Sequence, residues 1–230
     1  MTWIKICGTT NLEDALVAVE AGADAVGFVF YEKSPRCVSV EAAREIVQKL
    51  PERVEKVGVF VDAGCDRIRE IVSKVGISIV QAHGGQSTED LLSKATPAME
   101  QVGVEKVIFM MPGEKLAKIA ADGAGLAIRG CAAGRPFAVL LDSPSGELYG
   151  GTGKTFDWEE AQRLAIGMRF LVRLVIAGGL TPANVAKAVE TFQPFGVDVV
   201  SGVEARPGKK DPGKVRAFVK AVRDMDRKTS

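Results

Sequence analysis

The stretch LVIAGGLTPANVAKAVETFQPFGVDVVSG, residues 174–202, carries one whole unit of the fold. It opens on a short apolar run, LVIA (174–177), and turns on Gly178-Gly179. Thr181 then precedes Pro182, a cap residue before a proline at the first helical position. A second apolar run, GVDVVS (196–201), follows, with Gly202 behind it. Strand, turn, helix, strand is the βαβ unit of a parallel sheet.

Working outward, the same alternation covers the chain. Further strands are expected at WIKIC (3–7), AVGFVF (25–30), VGVFV (57–61), ISIVQA (77–82), KVIFM (106–110) and PFAVLLD (136–142). Several are apolar without interruption, as parallel strands buried on both faces are. Between them the period changes to helical: Leu12, Ala15, Leu16 and Val19 share one face, and Val215, Phe218, Val219 and Val222 share another. Thr10-x-x-Glu13 and Asp157-x-x-Glu160 have capping-box spacing, and Asp211-Pro212 repeats the cap–proline pair. Gly22 in EAGAD closes the first helix. Eight strands alternating with helices, with no linker between them, predict a single α/β domain over residues 1–230, a (β/α)₈ TIM barrel. An open doubly wound sheet is the alternative, and residues 84–135, where MMPGEK and CAAGRP blur the boundaries, fit the barrel least well.

The 30 basic and 29 acidic residues leave a formal charge of +1, without a basic stripe. This balance gives no reason to expect nucleic acid or a membrane surface as a partner. Cys7, Cys37, Cys65 and Cys131 are scattered, with neither a CxxC pair nor metal-ligand spacing. They read as reduced thiols of a cytoplasmic protein. Whether the protein is a monomer or a homodimer is open at this level.

In a barrel, the loops after the C-terminal strand ends build the active site. Cys7 ends strand 1, Asp142 ends strand 6, His83 follows strand 4 and Arg36 lies in the loop after strand 2. Gly178-Gly179 and Ser201-Gly202 follow strands 7 and 8, the usual phosphate position of such barrels. Backbone N–H groups converge on an anion where no side chain intervenes. Cys7 reads either as a small buried hydrophobe or as a presented thiol. Asp142 follows the apolar run FAVLL, where an unpaired carboxylate is costly, so it caps a turn or serves chemistry. A thiolate takes a proton from carbon and a carboxylic acid donates one to a leaving oxygen. Arg36 has the fork to hold a substrate carboxylate. His83, the only histidine, is expected to orient a loop. GGTGK (150–154) lacks P-loop spacing and reads as a lid or loop. No metal site is expected.

KICGTT, GADAVGFVFYEKSPR, VGVFV, LLDS, GGTGKTFDW, IAGGLTPANV and GVDVVSGVE, taken together and in order, resemble the phosphoribosylanthranilate isomerase family of tryptophan biosynthesis. The resemblance implies an Amadori rearrangement of a small-molecule substrate, with no cofactor because the substrate nitrogen is the electron sink. It implies that Cys7 is the base at C2′ and that Asp142 is the acid opening the furanose ring. Arg36 and His83 then belong to the substrate pocket, and Gly178, Gly179, Ser201 and Gly202 hold the phosphate. Such an acid needs a pKa raised from about 3.9, and the thiol needs a positive neighbour, for which Lys5 shares the pleat side of Cys7. QAHGG, YEKSPR and VIFMM depart from the family pattern around the anthranilate pocket. The histidine-pathway isomerase, a same-fold rival, is expected to use an aspartate in place of Cys7. A silent ligand-binding barrel has no need of both Cys7 and Asp142.

Overall fold

The ladder of parallel backbone hydrogen bonds runs β1-β2-β3-β4-β5-β6-β7-β8 and closes on itself. The computed structural model describes residues 1–83, 104, 106–112, 137–142 and 173–229. Its strands are β1 (Trp3–Ile6), β2 (Ala25–Val29), β3 (Glu55–Val61), β4 (Ile79–His83), β5 (Lys106–Pro112), β6 (Phe137–Asp142), β7 (Arg173–Ile176) and β8 (Gly196–Val199). The helices among the described residues are α1 (Leu12–Ala21), α2 (Val40–Val47), α3 (Cys65–Val75), α4 (Val185–Phe192) and α5 (Pro212–Thr229). After β8 come a 3₁₀ turn (Ser201–Val203) and a two-stranded hairpin, β9 (Glu204–Arg206) with β10 (Lys209–Lys210). The closed parallel barrel is the one expected, and an open sheet is excluded by the β1–β8 register, Trp3↔Gly196 to Ile6↔Val199.

Every expected strand forms, with ends moved by no more than two residues. β3 begins at Glu55 because its backbone pairs with Ala25 and Val26 of β2, a ladder indifferent to side-chain polarity. The pleat sorts residues into two cores. Outward-facing Ile4, Ile6, Val26, Phe28 and Val197 pack with Ala15, Ala18, Phe218 and Val222 of the helices. Inward-facing Ala25, Val57, Ile79, Ile108, Ala138, Leu140 and Val175 fill the barrel. The α5 face read from sequence is buried at all four positions.

Two helix starts differ from expectation. Asn11, not Thr10, caps α1: its side chain accepts from the Asp14 N–H at 2.9 Å. Thr10 instead donates its hydroxyl to the Gly208 carbonyl at 2.6 Å, tying α1 to the hairpin. Thr181-Pro182 opens a turn and α4 begins only at Val185, because Asn184 folds back. Its side chain accepts from the Thr181 N–H at 2.7 Å and donates to the Gly179 carbonyl at 3.0 Å, bracing the loop after β7. Asp211 and Gly22 act as read: Asp211 accepts from the Lys214 N–H at 3.0 Å, and Gly22 ends α1 at φ +96°. The Asp157 cap, Cys131 and the GGTGK stretch lie outside the described residues.

Candidate active site

Inward parity stacks the barrel interior in storeys, and the polar side chains begin halfway up. Lys5 lies above Trp3, Gln81 above Ile79 and Asp198 above Gly196. Lys5 is fully buried, and its ammonium crosses the lumen to donate to Gln81 Oε1 at 2.8 Å and to Asp198 Oδ2 at 2.9 Å. Burial alone would lower the Lys5 pKa, but the charges of Asp198 and Cys7 outweigh it and hold the group above its ordinary value. Gly27 makes this crowding possible: a Cβ there would stand 2.7 Å from Cys7 Sγ and 2.9 Å from Lys5 Cε.

One storey higher, at the C-terminal strand ends, a cleft opens. Cys7, Arg36, His83, Asp142, Gly178, Gly179 and Ser201 all line it, so seven of the eight residues read from sequence share one cavity. Gly202 does not line it. A Cβ on Gly202 would stand 1.8 Å from the Leu180 carbonyl oxygen, so its bareness lets the turn after β8 nest against the turn after β7. Gly178 (φ +86°) and Gly179 (φ +61°) both occupy the left-handed region that favours glycine.

Cys7 is 4% exposed. Burial pushes its thiol up; Lys5 and Lys210 pull the other way, and Asp198 adds to the rise. The net direction is upward, so the positive neighbour expected from sequence is present yet does not by itself make a thiolate. Burial also drives His83 down to about 4, with Lys5 adding to the fall and Asp62 opposing it, which leaves the imidazole neutral at pH 7. Its carbonyl accepts from the Asp62 N–H at 3.2 Å, joining the ends of β3 and β4.

Arg36 lines the cleft as expected, but one edge of its fork is committed. Nε and Nη2 donate to Glu204 at 2.9 and 2.8 Å, a bidentate pair sequence reading missed. Burial would raise the Glu204 pKa, but Arg36, Lys210 and the Gly208 N–H hold its carboxyl below the usual range. Lys210, itself fully buried, donates to the Cys7 carbonyl at 2.6 Å and to Glu204 at 3.2 Å. The hairpin thereby ties Arg36 to the strand end that bears the thiol. No local signal marks Glu204 or Lys210, because Glu204 is 168 residues from Arg36 and Lys210 is 203 from Cys7. Gln81 and Asp198 were legible: each is a polar residue inside an apolar run, at inward parity. Among the described residues, no group of three or more His, Cys, Asp or Glu side chains is arranged to hold a metal ion. No described helix is long and apolar enough to cross a membrane.

The family model for N-(5′-phosphoribosyl)anthranilate (PRA) isomerase matches residues 4–221. The N-(5′-phosphoribosyl)anthranilate isomerase of Geobacter sp. (strain M21) is 42% identical over 227 residues, covering 98% of this chain and 100% of that one. The crystal structure of phosphoribosyl anthranilate isomerase from Thermotoga maritima superposes with a TM-score of 0.78 at 41% identity, covering 97% of this chain and all of that one. Another structure of the enzyme, in complex with reduced 1-(o-carboxyphenylamino)-1-deoxyribulose 5-phosphate, gives a TM-score of 0.76 at 39% identity with the same coverage. With the family model matching nearly the whole barrel and relatives of this identity matching end to end, the chain belongs to the N-(5′-phosphoribosyl)anthranilate isomerase family.

Proposed function

We propose that this isomerase of tryptophan biosynthesis works by general acid–base catalysis between Cys7 and Asp142. The observation that carries the reading is one cleft lined by a thiol from the end of β1 and a carboxyl from the end of β6. Asp142 protonates the furanose ring oxygen, and the C1′–O bond breaks as the nitrogen lone pair forms an iminium. Cys7 then takes the C2′ proton; the C–H electron pair becomes the C1′=C2′ bond and the iminium pair returns to nitrogen. The resulting enolamine ketonises to 1-(2-carboxyphenylamino)-1-deoxyribulose 5-phosphate. Nitrogen accepts the electrons throughout, so the scheme calls for neither metal nor cofactor.

The raised thiol pKa fits this order of events. The iminium formed on ring opening brings a positive charge beside Cys7 and opposes the effect of burial; the thiol gives up its own proton to solvent in the cleft, and the resulting thiolate takes the C2′ proton. Arg36, held by Glu204 on one edge of its fork, presents the rest to the anthranilate carboxylate, and neutral His83 orients the same end. The turns at Gly178-Gly179 and Ser201 receive the phosphate on backbone N–H groups, with Gly202 holding the two turns together. The protein acts as one domain over residues 1–230, in the cytoplasm, as a monomer or homodimer, with the small substrate as its partner and without nucleic acid or membrane.

Turnover of phosphoribosylanthranilate by the Cys7→Ser and Asp142→Asn variants tests the assignment. Each is expected to lose at least about a hundredfold in kcat. Binding of the reduced product should stay within a few fold of wild type. Wild-type kcat in either variant would remove that residue from the mechanism.

A further inference from the structure

The storey beneath the thiol holds a group that the acid–base scheme leaves unused. Asp198 is 5% exposed, lines the cleft, and uses one oxygen, Oδ2, to accept from Lys5. Its other oxygen, Oδ1, is buried and has no hydrogen-bond partner among the described residues. A buried carboxylate oxygen without a donor is destabilising, and such atoms are rare in folded proteins. The ion pair with Lys5 accounts for Oδ2 and leaves Oδ1 with no role in the packing among the described residues. Asp198 faces Lys5 across the β1–β8 ladder, and the Cys7 N–H donates to the next carbonyl, that of Val199, at 2.9 Å. Asp198 therefore sits in the storey just below the thiol, among the residues that line the cleft. Its charge is felt by Cys7, and the Lys5 ammonium fixes the carboxylate's orientation.

A group that belongs there must bring a donor to Oδ1 while presenting a C–H bond to Cys7 Sγ. In the substrate, the atom nearest the abstracted C2′ proton that can donate is the hydroxyl on the same carbon. We propose that Asp198 is a further substrate-contacting residue, whose Oδ1 accepts a hydrogen bond from the C2′ hydroxyl. The contact turns C2′ so that its hydrogen faces Cys7, and it exists only while C2′ carries a hydroxyl. The product ketone has no donor at that position, so the same carboxylate that holds the substrate opposes the product and assists its release. The inference rests on the reading of Cys7 as the base at C2′, but its test needs no turnover.

Titration calorimetry of the wild-type enzyme with three stable ligands reads it directly: the reduced product, which carries a C2′ alcohol, its analogue with CH₂ at C2′, and its analogue with CH₂ at C3′. The C2′-deoxy analogue is expected to bind at least about tenfold more weakly than the alcohol, the range of a hydrogen bond to a charged group. Equal affinity, or a loss that follows the C3′ hydroxyl instead, overturns the proposal. In Asp198→Asn, Lys5 keeps the amide oxygen and the NH₂ group turns to the cleft. The preference for alcohol over ketone product should then fall by about tenfold or reverse, because a ketone accepts from NH₂. An unchanged preference in a folded Asp198→Asn protein also overturns it. If that variant does not fold, the wild-type comparison stands alone. Failure of the Cys7 reading would show separately, as wild-type turnover by Cys7→Ser with these affinities intact.

Discussion

Cys7 and Lys5 show how a single side chain's neighbours set its chemistry. The thiol is pushed up by burial and drawn back by the ammonium one storey below. Removing that ammonium in Lys5→Met raises the thiol further. A base acts in its unprotonated form, so the rise of kcat/KM with pH should move to higher pH and activity at pH 7 should fall. The same variant strands the Asp198 carboxylate without its partner, which is expected to lower stability by about 3–5 kcal/mol. A pH–rate profile superposable on wild type would show that Lys5 does not tune the thiol. Asp142 and Asp198 teach a related lesson in reading. Both are aspartates at inward parity in apolar strands, yet only the one at a strand end stood out. Parity marks a polar residue inside a barrel as readily as strand ends do, and Gln81 carries the same mark.

Among the elements, the turns after β7 and β8 behave as one piece. Asn184 braces the first from inside, and Gly202 lets the second rest on the Leu180 carbonyl. Gly202→Ala forces a Cβ to 1.8 Å from that oxygen, a backbone contact with no flexible end to yield. We expect the turns to separate, stability to fall by about 3 kcal/mol, and inorganic phosphate to bind at least about tenfold more weakly. Denaturant melts and phosphate titration check this; wild-type phosphate affinity in the variant would mean that the nesting is not needed for the site. Gly202 is read from sequence as part of a phosphate site, and its bareness also lets the two turns pack together. The helix caps misread from sequence have a similar origin. Thr10 and Asn11 are both good caps, and what decides between them is the Gly208 carbonyl, which recruits Thr10 from a distant hairpin.

For the whole molecule, closing the barrel buries ionisable groups whose protonation then sets its acid tolerance. His83 is held near 4 against an ordinary value of 6.5, so between these pH values the unfolded chain binds more protons than the folded one. Stability therefore falls as pH drops from 6.5 to 4, by roughly 3 kcal/mol from this residue. Glu204, held below its usual range by Arg36 and Lys210, loses its contribution in the same direction as pH falls further. Urea midpoints across this range should slope accordingly, and His83→Gln should flatten the upper part of the curve. An equal slope in that variant would assign the acid sensitivity to other groups.

The order of strands, the two cores and the strand-end residues follow from the chain's own pattern. Hydrophobic period is a local property, and a parallel barrel turns it directly into inside and outside. Cys7, Asp142 and Gly178-Gly179 were readable because strand ends are local too. Only the tertiary structure decided that Glu204 holds Arg36, that Lys210 reaches the carbonyl of Cys7, and that Lys5 spans the lumen to Gln81 and Asp198. These are pairings between residues 76 to 203 positions apart. Their partners are chosen by closure of the sheet rather than by any spacing along the chain, and the same closure buries Asp198 Oδ1 without a partner among the described residues.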